Sequence, residues 1–294
     1  GHTQKLNLTG GYGGYARQYR PGTPGLDLEQ REWLRLNHLP RSEDATYLTL
    51  ALASYEARYQ VLRDIETYAL SEDYQVGHSV LAVLRWAHPA WASPSRFVEL
   101  GVSARYRFYF ADDLLTLEAS AAARLMPSVV DREAPHPWVN RRVAGEIQNV
   151  FPHLLFGRFV ARAVVDLVRY DLGNRVVLLG GGNGLRGASA DSLTGQQLFL
   201  MNVEYRTRAV ELKTLHVGGV FFWDSGAAFT RSPILTHTVG IGLRALFPQF
   251  DISPVRIDFG LVLNGPNPPF MDRLSASQGQ VTDFRPAFLD SPLD

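Results

Sequence analysis

Between Val98 and Phe110 every second residue is apolar. Val98, Leu100, Val102, Ala104, Tyr106, Phe108 and Phe110 alternate with Glu99, Gly101, Ser103, Arg105 and Arg107. At the helical step of about 100° per residue those apolar positions scatter around the axis, whereas at the strand step of about 180° they form one face. The period recurs: Leu115, Leu117, Ala119, Ala121, Ala123 and Leu125 oppose Thr116, Glu118, Ser120 and Arg124, and Val255, Ile257, Phe259, Leu261 and Leu263 oppose Arg256, Asp258, Gly260 and Asn264. It predicts strands over 4–18, 45–62, 75–88, 97–110, 113–126, 139–150, 154–170, 197–210, 215–229, 237–248, 254–264 and 271–284, with 27–38 a less regular candidate. Turns fall where breakers cluster, as at Pro89 to Pro94, Ala111 to Asp113 and Pro127 to Pro137.

Many of these stretches carry about nine to eleven alternating residues or more, longer than an ordinary soluble strand and enough to cross an outer membrane at a tilt. The face opposite the apolar one carries arginines and carboxylates in mid-strand, as a hydrated or ion-paired lumen allows. Tyr12, Tyr15, Tyr19, Trp86, Trp91, Trp138, Phe247 and Phe250 fall near strand ends, where interfacial girdles sit. A soluble β-sandwich or lipocalin-like barrel would show the same alternation and stands as the rival architecture.

Composition narrows the function classes. The 29 basic and 29 acidic residues cancel, which argues against a nucleic-acid partner. All but Lys5 and Lys213 of the basic residues are arginines, whose planar fork suits fixed, partly desolvated carboxylate pairs. With no cysteine there is no disulfide, thiolate metal site or cysteine nucleophile. The eight histidines are scattered singly without an H-E-x-x-H, so no metal site is expected. Ser225 lacks the G-x-S-x-G elbow and by parity faces away from Asp224, so the chain is expected not to be an enzyme. No run of 18 apolar residues occurs, which removes a helical bundle but not a barrel from the membrane classes. The chain opens on Gly1-His2 without a leader-like segment, as it would had a signal peptide or upstream domain been removed.

Residues 171–196 break the alternation, and so long a connection between hairpins is itself a functional suspect. Gly182-Asn183-Gly184-Leu185-Arg186-Gly187 matches a dinucleotide fingerprint, with Glu204 in the place of its acidic residue. Ala188 to Gln196, however, has no apolar helical stripe to pack on a sheet, so the nucleotide reading is set aside and no cofactor is expected. Parity offers another role. Asn202, Glu204, Arg206 and Arg208 share the inner face of the strand after the loop, and Gly218, Val220, Phe222 and Asp224 that of the next. A loop folded back into the lumen would bring Arg186 between Glu204 and Asp224, in charge-assisted hydrogen bonds. The alternative is a solvated Arg186, with both acids paired to neighbouring lumen arginines, and the residues alone leave both open.

At these residues the chain resembles the outer-membrane protein assembly and translocation superfamily, which includes the bacterial surface-antigen, Bam-type and two-partner secretion barrels. The resemblance is carried by Leu185-Arg186-Gly187, Asn202-Val203-Glu204-Tyr205-Arg206, Val220-Phe221-Phe222-Trp223-Asp224-Ser225-Gly226, Val239-Gly240-Ile241-Gly242-Leu243-Arg244 and Arg256-Ile257-Asp258-Phe259-Gly260, in that order over 176–264. Glu72-Asp73 ahead of Gly77 resembles a recurring turn of these proteins.

The resemblance implies an all-β, transmembrane antiparallel β-barrel of sixteen strands, where the alternation counts twelve or thirteen, so that a barrel of 12–16 strands is expected over residues 1–284, with a lumen loop over 171–196 and a C-terminal tail over 285–294. It implies a lumen-loop lock of Arg186, Gly187, Glu204 and Asp224, supported by Gly184, Leu185, Phe222 and Gly226. It also implies a seam between first and last strands, and insertion or translocation of other proteins at the outer membrane without a cofactor. The partners implied are outer-membrane lipid and lipopolysaccharide, unfolded or secreted client proteins, and periplasmic docking domains or accessory lipoproteins. Two departures stand out: Ala188 occupies a position where the family usually has an aromatic residue, and no docking domain fits in this length. A passive plugged porin, or a membrane anchor for a removed upstream domain, is the alternative reading.

Overall fold

In the computed structural model, residues 4–20, 22, 25, 27–67, 70–127, 136–249 and 254–279 are described. They build one large antiparallel sheet. Its path runs through β1 (Gln4–Arg17), β2 (Glu43–Glu56), β4 (Ser71–Ala87), β5 (Phe97–Phe110), β6 (Asp113–Leu125), β7 (Trp138–Leu154), β8 (Gly157–Arg169), β11 (Gln197–Thr207), β13 (Leu215–Phe229), β14 (Thr236–Leu246), β15 (Val255–Val262) and β16 (Leu274–Gln278). Two short strands are appended, β3 (Arg58–Arg63) on β4 and β12 (Val210–Leu212) on β13. A separate hairpin joins β9 (Val177–Leu179) to β10 (Leu193–Gly195). Among the described residues β1 and β16 are not paired with each other, so the described sheet has two edges.

The alternation of the sequence is realised with the charged face inward. On β5, Leu100 is 47% exposed and Val102 43%, whereas Glu99 is 6% and Arg107 6% exposed. The same inversion holds on β14 and β15, where Ile241, Leu243 and Ile257 are exposed and Arg244 and Asp258 buried. The inner arginines meet carboxylates across strands. Arg142 grips Asp166 through Nε and Nη2 at 3.0 and 2.9 Å, and Arg162 grips Glu146 at 2.6 and 3.0 Å. Arg124 donates to both Glu99 and Glu43.

The two ends of the sheet differ. At one end the connections are tight: β5 and β6 are joined through Ala111 and Asp112, both at positive φ (51° and 65°), the geometry of a hairpin turn that matches strand twist. The β2–β4 connection at this end folds over the sheet, and Leu62, Ile65 and Tyr74 pack on Leu114, Val150 and Val160. The opposite end carries the long connections, including 170–196.

Several expectations need correction. Residues 27–38 form a helix, α1 (Leu28–Asn37), not a strand. Asp27 accepts from the Gln30 amide at 2.7 Å while the Gln30 side chain accepts from the Asp27 amide at 3.2 Å. This capping box, followed by good helix formers, outweighs the loose period-two pattern. The 45–62 stretch is two strands broken at Ala57, opposite Gly77, whose φ of +92° kinks β4. Glu72-Asp73 lies within β4 rather than in a turn, and the Glu72 carboxylate accepts from the amides of Ile65, Glu66 and Thr67, tying down the bend. In the girdle, Tyr15 is turned inward, donating to Glu43, and Phe250 lies outside the described residues. So do 280–284 of the last predicted strand and the 285–294 tail; of the described part of that strand, 271–273 belong to a 3-10 helical turn (Phe270–Arg273) and 274–278 form β16.

Candidate functional site

The 171–196 loop does fold back over the inner face. The β9–β10 hairpin carries its tip, which Asn183 closes by accepting from the Gly180 amide at 2.6 Å and donating to Leu178 O at 2.7 Å. Leu179, Leu185 and Ala188 then pack on Val164, Leu200 and Val262 of three sheet strands. No helix follows the Gly-rich run, as a dinucleotide site would require; turns and β10 follow instead. Gly184 and Gly187 take φ of +121° and +85°, which a side chain would resist. At Gly187 the backbone also lies directly on Gly260 of β15, where an added Cβ would come within 2.4 Å of the Gly260 carbonyl carbon.

That tip delivers Arg186, 1% exposed, between two carboxylates that are wholly buried. Arg186 Nε and Nη2 grip Asp224 Oδ2 and Oδ1 at 2.8 and 2.7 Å, and the Arg186 amide adds a third bond to Oδ2 at 3.1 Å. Nη1 donates to Glu204 Oε1 at 2.5 Å. The guanidinium lies on the Phe222 ring, 3.7 Å from its centroid. Burial disfavours the Arg186 charge, but Glu204 and Asp224 outweigh that and hold the guanidinium above its ordinary pKa. All four lock residues are thus brought together, and of the supporting positions Leu185 and Phe222 pack at the lock. Gly226 lies beneath Leu179, where an added Cβ would meet that side chain at 2.8 Å. The solvated alternative for Arg186 is excluded by its burial.

Several partners were not singled out from sequence. Asn202 Nδ2 bridges Gly184 O and Asp224 Oδ1 at 2.7 and 2.8 Å, fastening loop to sheet. Arg206 Nε donates to Glu204 Oε2 at 2.8 Å, and its Nη1 reaches Ile65 O at 2.8 Å in the bend at the far end. Arg244 Nη1 donates to Asp258 Oδ1 at 2.6 Å, with Nη2 3.9 Å from Glu204. The signal for this last pair was the glycine spacing of β14. A Cβ at Gly240 would strike the Phe222 ring at 2.3 Å, and one at Gly242 would strike Asp258 Oδ1 at 2.0 Å. Those two missing side chains are the space in which the ring and the ion pair sit. Where the resembled family has an aromatic residue, Ala188 is buried among aliphatic groups.

No family model and no curated protein matches the chain. In the cluster both oxygens of Glu204 and of Asp224 accept from guanidinium groups, an arrangement suited to holding a segment in place, and the described residues contain no group of His, Asp and Glu poised to take a metal.

Proposed function

We propose that the chain is an outer-membrane β-barrel of the assembly and translocation type, whose locked loop holds the lumen while client proteins insert or pass at the seam. The observation that carries this reading is the Arg186 clamp. A long loop between the adjacent strands β8 and β11 places one arginine on acids of β11 and β13, as the resemblance implies. The inverted faces support the membrane placement, because an apolar exterior around a charged interior is costly in water and suited to hydrocarbon. Barrel closure belongs to the same proposal. The seam is supported by unequal edges: β1 offers 14 residues and β16 five among the described residues. Unpaired strand backbone of that length is a template for another strand. Clients, docking domains and accessory lipoproteins are the partners proposed, and lipid and lipopolysaccharide the surroundings.

A passive plugged barrel or anchor is favoured by one observation, the completeness of the lock: Arg186, Glu204, Asp224, Arg244 and Asp258 are all buried. The test reconstitutes the protein in lipid vesicles and follows insertion of an unfolded barrel client. Faster insertion than in empty vesicles supports assembly; an unchanged rate supports the passive barrel. Detergent-dependent extraction and heat-modifiable gel mobility are expected under either reading, and their absence would overturn both.

A further inference from the structure

The outward face, apolar over most strands, carries a pair of arginines. Arg141 of β7 and Arg169 of β8 stand directly opposite each other, on the same side as the exposed Val143 and Leu167. Like charges in directly opposed positions destabilise a sheet unless something neutralises them. Among the described residues, neither has a carboxylate within salt-bridge distance. Asp171, the nearest acid in sequence, turns its two oxygens to the amides of Gly173 and Arg175. Arg141 Nε is buried without a hydrogen-bond partner.

The pair is placed by a built feature. The β6–β7 register shifts between Ala122 and Arg124, and Asn140 takes a φ of +49°, so an extra residue enters β7 there. This bulge turns Val139 inward and leaves Arg141 outward beside Ala123. The guanidinium is propped by aromatics: Arg141 Cζ lies 4.4 Å from the Tyr170 ring centroid, and Tyr170 stacks on His136 at 5.7 Å. A stacked guanidinium keeps its in-plane N–H groups directed outward, the geometry that meets phosphate oxygens in a bidentate fashion.

From Arg141 an apolar groove of about 580 Å³ runs across the outward surface. That is within the range of roughly 300–1,000 Å³ typical of ligand sites. Ala82, Ala121 and Ala123 form its floor, and Leu52, Leu100 and Val102 stand along it. Two cross-strand rows align here: Leu52, Ala82, Val102, Ala121 and Val143 in one, Leu50, Leu84, Leu100 and Ala123 in the next. The alanines are thus flanked by larger side chains in the same row, which makes a trough rather than a flat wall.

We propose that Arg141 and Arg169 bind the phosphate of an acylated, phosphate-bearing lipid, one of whose chains lies in the alanine-floored groove. The site lies at the end where the long connections are, so the lipid belongs to the leaflet on that side. Charge complementarity selects the occupant: Arg141 at the end of an aliphatic trough and Arg169 opposite it, neither with an acid partner among the described residues, match an anionic head joined to a hydrocarbon chain. The inference rests on the membrane placement of this sheet and assigns a ligand to a place on it.

The test uses the full chain in nanodiscs of phosphatidylcholine doped with lipid A, and native mass spectrometry to count retained lipid A. R141Q/R169Q is compared with wild type, as is A121F/A123F, which fills the trough and leaves both arginines. R141Q/R169Q is expected to retain lipid A at least about tenfold less tightly than wild type, since even one lost charge-assisted bond is worth that factor, and A121F/A123F about tenfold less tightly, the factor for roughly two methylenes no longer buried. Doping with uncharged diacylglycerol should give no difference between wild type and R141Q/R169Q. Equal retention of lipid A by wild type and both variants would overturn the site while leaving the membrane reading intact. Displacement of the lipid by excess inorganic phosphate with no effect of A121F/A123F would also overturn it, revealing a bare anion site. Failure of the wild type to enter nanodiscs would instead bring down the membrane reading.

Discussion

Replacing Arg186 by alanine tests the lock most directly, and the structure sets the size of the effect. Asp224 has four donors, the Arg186 amide, Nε and Nη2 and the Asn202 side chain. R186A removes two of them and all of the compensating charge, leaving a wholly buried carboxylate on two neutral N–H groups. Breaking a buried pair from one side costs about 3–5 kcal/mol. The two surviving donors keep Asp224 near the lower bound, while loss of the stack on Phe222 adds up to about 2 kcal/mol. Glu204 contributes little to the loss because Arg206 still donates to it. The expected destabilisation is about 3–5 kcal/mol. D224N is itself destabilising, but in R186A/D224N the orphaned charge is gone. The double variant should therefore be about 2 kcal/mol more stable than the sum of the single losses, within the range of coupled neighbours. The assay is reversible urea unfolding in detergent micelles followed by tryptophan fluorescence, to which Trp223, beside Asp224, contributes. Additivity within about 0.5 kcal/mol would show that Arg186 and Asp224 do not act as a pair and would remove the lock.

Three further outcomes follow from the same geometry. E204Q should be more destabilising than D224N in the same titration, because it leaves Arg186 and Arg206, with Arg244 close by, facing one another without their shared acid. G187A should cost more than about 1 kcal/mol and expose the 180–192 tip to protease, since φ is +85° and Gly260 blocks the new methyl. I241R, on the outward face of β14, should destabilise the protein by about 2–4 kcal/mol in vesicles, the cost of a cation near the bilayer midplane. A loss within about 0.5 kcal/mol, typical of a wetted surface, would refute the lipid-facing assignment.

What was readable in the chain follows from how local the signal is. Alternation from Val98 to Phe110 marks both strand and face, because neighbouring side chains on a strand point oppositely whatever they pack on. The Arg186–Glu204–Asp224 contact was accessible through parity together with a resemblance, since parity puts both acids inside but does not say what comes to meet them. The Asp27 capping box is written in the sequence and prevails over the looser alternation that overlies it. The Arg206–Ile65 and Arg244–Asp258 contacts were hidden for a different reason: they depend on register between strands and on side chains that are missing at Gly240 and Gly242. Nor does alternation carry information about closure, which depends on how the edges of a sheet meet.

Arg206 gives the lock a long reach. One of its nitrogens holds the acid that Arg186 also holds, and another holds the carbonyl of Ile65, in the bend that Glu72 fastens at the opposite end of the sheet. A continuous chain of paired groups therefore links the loop tip to that bend along the inner face. Withdrawing Arg186 would leave Arg206 as the arginine still donating to Glu204, so a change at the loop is felt by the same side chain that anchors the bend at the other end of the sheet.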